Sequence, residues 1–87
     1  MDAGYMVLEI LSPEKTLFKG DVTRVFIPGA KAPFVILYNH APIISLLGEG
    51  SIKWNDAEGE HALVVSGGFA EAANNHITVC IEQGKVK

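Results

Sequence analysis

Hydrophobic and polar positions alternate along most of this chain in short runs with a period of two. Met6, Leu8 and Ile10 alternate with Tyr5, Val7, Glu9 and Leu11, which predicts a strand with one strongly apolar face. Ser12-Pro13-Glu14-Lys15 predicts a turn, because proline presets φ and removes a ladder donor. Thr16 to Phe18 reads as a short second strand ended by Gly20. Val22 to Ile27 reads as the next strand, with Thr23, Val25 and Ile27 on one face and Val22, Arg24 and Phe26 on the other. Pro28-Gly29 closes it, and residues 30–33 form a loop. Phe34 to Tyr38 is a continuous apolar run, the pattern of a strand covered on both faces.

Asn39-His40-Ala41-Pro42 interrupts the pattern, and Pro42 predicts that the apolar run Ile43 to Leu47 begins at an edge or a bulge. Gly48-Glu49-Gly50 ends that run. Ile52 and Trp54 then alternate with Ser51, Lys53 and Asn55 in an amphipathic strand. After the polar turn 56–59, His61 to Ser66 returns with Leu63 and Val65 on one face. Gly67-Gly68 marks a bend or a close backbone approach. Phe69 to Ala73 continues, Asn74-Asn75 reads as a two-residue hairpin turn at positive φ, and Ile77 to Ile81 is the last strand. The tail from Glu82 to Lys87 is polar and has no clear pattern. No capped apolar stripe with helical spacing runs longer than about two turns. About nine short strands at this spacing predict an all-β domain, a flattened β-sandwich or barrel.

Composition narrows the function classes. The chain has 87 residues, enough for one domain, and buries too little surface for a large core. Seven basic against ten acidic residues, with Arg24 the one arginine, lack the basic footprint of a nucleic-acid binder. No apolar run is long enough to span a membrane as a helix, and no secretory signal pattern opens the chain. The single cysteine, Cys80, excludes an internal disulfide and suggests a reducing compartment.

Candidate chemistry is sparse. His40, His61 and His76, with Cys80 as a fourth ligand, lack the tight spacing of a zinc site, so no metal is expected. Ser66-Gly67-Gly68 lacks the lysine and the following helix of a phosphate loop, and a corner where only glycine fits explains it better. Cys80 sits between Val79 and Ile81 with no positive charge beside it, so it reads as structural. Glu14, Glu49, Glu58, Glu60 and Glu71 fall in turns or on polar faces and read as solvated charge rather than an acid–base pair. Among the larger aromatics, Phe34 and Phe69 read as core, and Trp54 as either core or an interface anchor. No cofactor, nucleotide or catalytic group is expected on this chain.

The segment Leu37 to Leu47 is different. It sets hydrophobic residues, an aromatic and a proline around Asn39, His40 and Ser45. A domain this small has difficulty covering both faces of such a segment. It reads equally as a protein–protein contact and as a doubly covered sandwich strand.

From Tyr5 to Ile81 the chain resembles the epsilon subunit of F-type ATP synthase, called delta in mitochondria. The resemblance is carried, in order, by Leu8-Glu9-Ile10-Leu11-Ser12-Pro13-Glu14, Phe18-Lys19-Gly20-Asp21-Val22, Val25 with Pro28-Gly29, and Leu37 with His40-Ala41-Pro42. Gly50-Ser51-Ile52, then Gly67-Gly68-Phe69-Ala70-Glu71, Asn75 and Ile77-Thr78-Val79 complete it. Ala32 and Val35 stand where the family usually has glycine, and Tyr38 where it has proline, so a stiffer loop over 29–34 is expected.

The resemblance implies a single sandwich domain of about ten short strands in two sheets, placed in the central stalk of a proton-translocating synthase. Its implied partners are the gamma subunit and the ring of c subunits, and its implied role is to couple proton flow to ATP synthesis without catalysing anything itself. The implied location is the cytoplasmic face of the bacterial plasma membrane, reached only through the complex. For gamma the expected contact residues are His40, Ile43, Ile44 and Leu46. For the c-ring they are Gly29, Ala30, Lys31, Pro33, Tyr38 and Pro42. The family's C-terminal helical hairpin has no counterpart in these residues, so coupling without hairpin inhibition or ATP binding is expected. A free-standing β-sandwich interaction module is the other reading. A lipoyl-type carrier is disfavoured because Lys15, Lys19, Lys31 and Lys53 lack the required context.

Overall fold

The computed structural model describes residues 4–82. Nine strands make up the described residues: β1 (Met6–Leu11), β2 (Thr16–Val22), β3 (Arg24–Ile27), β4 (Phe34–Leu37), β5 (Ile43–Leu47), β6 (Gly50–Asp56), β7 (Gly59–Val65), β8 (Gly68–Ala73) and β9 (His76–Ile81). They form a five-stranded sheet in the order β2-β1-β9-β8-β5 and a four-stranded sheet in the order β4-β3-β6-β7. The all-β, two-sheet expectation therefore holds. The chain reaches this layout because β-branched runs separated by Gly, Pro and Asn pair readily and have no continuous helical face.

The core lies between the sheets, and the period-two pattern selects it. Met6, Leu8 and Ile10 of β1, Val25 and Ile27 of β3, Ile52 of β6 and Ile77 and Val79 of β9 are essentially sealed from solvent. β1 and β9 pair in parallel at the centre of the larger sheet, from Val7 opposite His76 to Leu11 opposite Cys80. Trp54, left between two readings by the sequence, is a core residue. Its ring lies 4.8 Å from Phe18 of the opposite sheet and 5.6 Å from the His61 imidazole.

Three expectations change. The second strand does not stop at Gly20 but continues to Val22, since Gly20 pairs with Leu8 and lies under the Phe18 ring. The stretch Val22 to Ile27 is not one strand. The chain bends at Thr23 and leaves one sheet for the other, which lets Val22 and Val25 both face the core despite their odd spacing. β4 is not covered on both faces. It is an edge strand, and Leu37 is 53% exposed. By contrast, the hairpin at Asn74-Asn75 has the expected positive φ values of 54° and 61°.

Candidate functional site

All ten predicted contact residues fall within residues 29–46. This stretch builds one lateral border of the sandwich, because β4 and β5 are edge strands of different sheets joined by the turn 38–42. At one end of β4, the loop over residues 28–33 folds onto β5. The Ala30 N–H donates to the Leu46 carbonyl at 2.8 Å, and the Gly48 N–H donates to the Pro28 carbonyl at 2.8 Å. Gly29 makes this fold-back possible, since a Cβ there would sit 2.5 Å from the Ala32 carbonyl oxygen and 3.0 Å from the Phe34 ring. Between loop and strand lies a cleft of about 550 Å³, with Lys31, Pro33 and Phe34 on one wall and Ile43, Ile44 and Leu46 on the other.

The structure thus brings together Ala30, Lys31 and Pro33, expected at the c-ring, and Ile43, Ile44 and Leu46, expected at gamma. It does not bring the two c-ring segments together. Tyr38 and Pro42 lie in the connection at the other end of β4, about 10 Å away along the four-residue strand.

Alternation along β5 decides which side chains are available. Ile44 and Leu46 point outward, 73% and 69% exposed, whereas Ile43 is partly buried against the core and Leu47 is buried. The outward face continues across the sheet. Leu46 pairs with Phe69, Phe69 with Cys80, and Cys80 with Leu11, giving an apolar row over four strands. The next row, Ile44, Glu71, Thr78 and Glu9, is polar except for Ile44. The apolar band is therefore one row deep, with Ile44 at its border.

Phe69 is a correction, because its sequence context suggested core and it is 41% exposed. The signal was present in the strand's own parity. Ala70 and Ala72 are the buried members of β8, which places Phe69 with Glu71 on the outer face. Leu11 and Cys80 joined the row only through pairing register, which the sequence does not display.

The turn 38–42 lies outside both ladders and is held by one backbone bond and by side chains. Asn39 adopts φ 66°, and the His40 N–H donates to the Leu37 carbonyl at 2.9 Å. The Asn39 N–H donates to Asn75 Oδ1 at 2.6 Å, and Asn75 Nδ2 donates to Asn39 Oδ1 at 2.9 Å. The His40 ring nitrogen Nδ1 lies 2.7 Å from the Ala41 carbonyl.

The other histidines stand elsewhere. His61 Nε2 lies 2.9 Å from Asp56 Oδ1, and His76 Nε2 lies 3.4 Å from Glu9 Oε1. The Glu58 N–H also donates to Asp56 Oδ1, at 2.8 Å, and this bond together with His61 holds the Asp56 carboxyl below its ordinary range. Among the described residues no three His, Cys, Asp or Glu side chains converge as metal ligands. Nor is any charged or polar residue buried among them.

What this border offers is apolar surface with a single lysine, the chemistry of a protein contact. Comparison with known proteins places the chain in a family. Residues 5–85 match the ATP synthase delta/epsilon chain β-sandwich domain family. The ATP synthase epsilon chain of Leptospira interrogans is 38% identical over 87 residues, covering all of this chain and 68% of its own length. That of Desulfosudis oleivorans is 41% identical over 81 residues, covering 92% of this chain and 61% of its own. Among solved structures, a chain of the Euglena gracilis mitochondrial ATP synthase superposes with a TM-score of 0.84 at 17% identity. The match covers 93% of this chain and 52% of that one. A chain of the Tetrahymena thermophila mitochondrial ATP synthase central stalk and c-ring superposes with a TM-score of 0.74 at 18% identity, over 90% and 63%. At those identities the superpositions speak for the fold alone, whereas the match over residues 5–85 and the Leptospira identity speak for kinship. The chain belongs to the ATP synthase delta/epsilon chain family, represented by its β-sandwich domain.

Proposed function

We propose that this chain is a non-catalytic central-stalk component of a proton-translocating F-type ATP synthase. It binds the gamma subunit and the c-ring, couples proton flow to ATP synthesis, and sits at the cytoplasmic face of a bacterial plasma membrane as part of the complex. The observation that carries this reading is the outward pair Ile44 and Leu46 continuing into Phe69, an exposed apolar surface in a member of this family. His40, Ile43, Ile44 and Leu46 face gamma in this reading, with Ile43 contributing through the cleft wall. Gly29, Ala30, Lys31, Pro33, Tyr38 and Pro42 face the c-ring.

The test is the affinity of purified gamma for a variant carrying Ile44→Asp and Leu46→Asp. Both side chains point away from the core, so the variant folds and its circular dichroism matches that of the parent. Binding falls by about 30-fold or more, the loss expected of one interface hot spot of about 2 kcal/mol. A folded variant that binds gamma as tightly as the parent would overturn the assignment. A parent chain that stays an inert monomer beside gamma would favour the free-standing interaction module instead.

A further inference from the structure

We propose that Asn39 and Asn75 form a clamp that holds the turn 38–42 in the conformation presented to its partner, which makes Asn75 a positioning residue for binding there. This inference rests on the reading that Tyr38, His40 and Pro42 meet a partner. The geometry behind it is local. The turn links an edge strand of one sheet to an edge strand of the other, so neither ladder extends into it. Asn39 has turned into the left-handed region, at φ 66°, where few residues other than glycine rest easily. The N–H this leaves without a ladder partner is taken by the Asn75 side chain, and the Asn75 amide in turn donates to the Asn39 side chain. The exchange is reciprocal, and each residue supplies both a donor and an acceptor.

Asn75 is well placed to act as the fixed half. It too is at positive φ, 61°, inside the tight β8–β9 hairpin. Its backbone carbonyl accepts the Val7 N–H at 2.9 Å, which fastens it to β1 independently of its side chain. The clamp therefore ties a connection between sheets to the rigid centre of the larger sheet. Asparagine suits both demands at once. It tolerates positive φ, and its amide carries a donor and an acceptor together, which neither Gly nor Asp does. A turn freed of this tie spreads over other conformations, and apparent affinity falls with the fraction that remains competent to bind.

Asn75→Gly separates the clamp from the backbone requirement, because glycine accepts positive φ and lacks the amide. The conservative variant Asn39→Asp keeps the N–H that donates to Asn75 and keeps an acceptor for its Nδ2. Amide hydrogen exchange at residues 39 and 77 is measured alongside affinity for detergent-solubilised c-ring and for purified gamma. In Asn75→Gly we expect exchange at Asn39 to accelerate about tenfold while Ile77 is unchanged, and c-ring affinity to fall about tenfold. Asn39→Asp retains both. Unchanged exchange at Asn39 in the glycine variant overturns the clamp. Faster exchange with unaltered affinity overturns the positioning role. If the parent chain binds neither partner, the proposed function fails, and the positioning role with it. Exchange at Asn39 still judges the clamp on its own.

Discussion

At position 68 the backbone leaves no room for a side chain. Gly68 has φ 129°, and a Cβ there would run into the Cys80 carbonyl oxygen and the Ile81 Cα of the neighbouring strand. Gly59 has a similar φ, 121°, but nothing lies within 4 Å of its would-be Cβ. The two glycines thus separate steric exclusion from backbone strain. Gly59→Ala is expected to cost about 1–2 kcal/mol through strain alone. Gly68→Ala is expected to cost at least about 2 kcal/mol more, because β8 and β9 must also part. Urea denaturation of both variants measures this, and equal losses would show that the approach at Gly68 is not limiting. Asp56 makes a second prediction at this scale. Its folded carboxyl titrates lower than in the unfolded chain, first because of the Glu58 N–H, then because of His61. The stability it adds is present above the unfolded value near 3.9 and is lost as pH falls through the folded one. Asp56→Asn is therefore expected to flatten the fall in stability below about pH 4. An acid limb identical to the parent's would remove Asp56 from the account.

Within an element, parity is the main determinant. Ile10 of β1 is fully buried between the sheets and Ile44 of β5 is 73% exposed, although both are isoleucines in strands of the same sheet. Ile10→Ala is expected to destabilise by about 2–5 kcal/mol and Ile44→Ala by under about 0.5 kcal/mol, read from thermal or urea midpoints. The reverse order would mean that β5 is paired the other way round. The same comparison shows what is readable from residues in a row. β1, β6 and the Asn74-Asn75 hairpin announce themselves, because alternation and turn chemistry are local properties, whereas the apolar run of β5 does not display which of its residues face outward. The Asn39–Asn75 pair is not readable in that way, since its partners are brought together only by tertiary closure. Thr23 is missed for a related reason. The stretch Val22 to Ile27 has no Gly, Pro or Asn to mark a break, and only the position of the second sheet reveals the bend. Phe69 sits between these cases, since its aromatic ring suggests core while its parity with Glu71 places it outside.

At the scale of the whole described fold, the larger sheet closes only when its first and last described strands meet. β1 and β9, the first and last strands described, are neighbours in the middle of the larger sheet, and their pairing joins its two halves, β2-β1 and β9-β8-β5. Nearly the whole chain lies between the paired residues Val7 and His76, so this contact carries a large loop-closure entropy that local turns do not offset. β-sandwiches dominated by such pairings fold in milliseconds to seconds rather than microseconds. Trp54 provides the probe. It is the chain's one tryptophan, buried in the smaller sheet against Phe18 of the larger one, so its emission reports the docking of the two sheets. Stopped-flow refolding followed by that emission is expected to be a single exponential in the millisecond-to-second range. Ala70→Gly, in β8 beside β9, weakens the larger sheet without touching Trp54's ring contacts. It is expected to slow refolding if the β8–β9 region forms with the ends-together step, and otherwise to act on unfolding alone. Emission that recovers within about 100 µs would mean that the sheets dock before the ends meet, and that the parallel pair is a late addition rather than the step that completes the core.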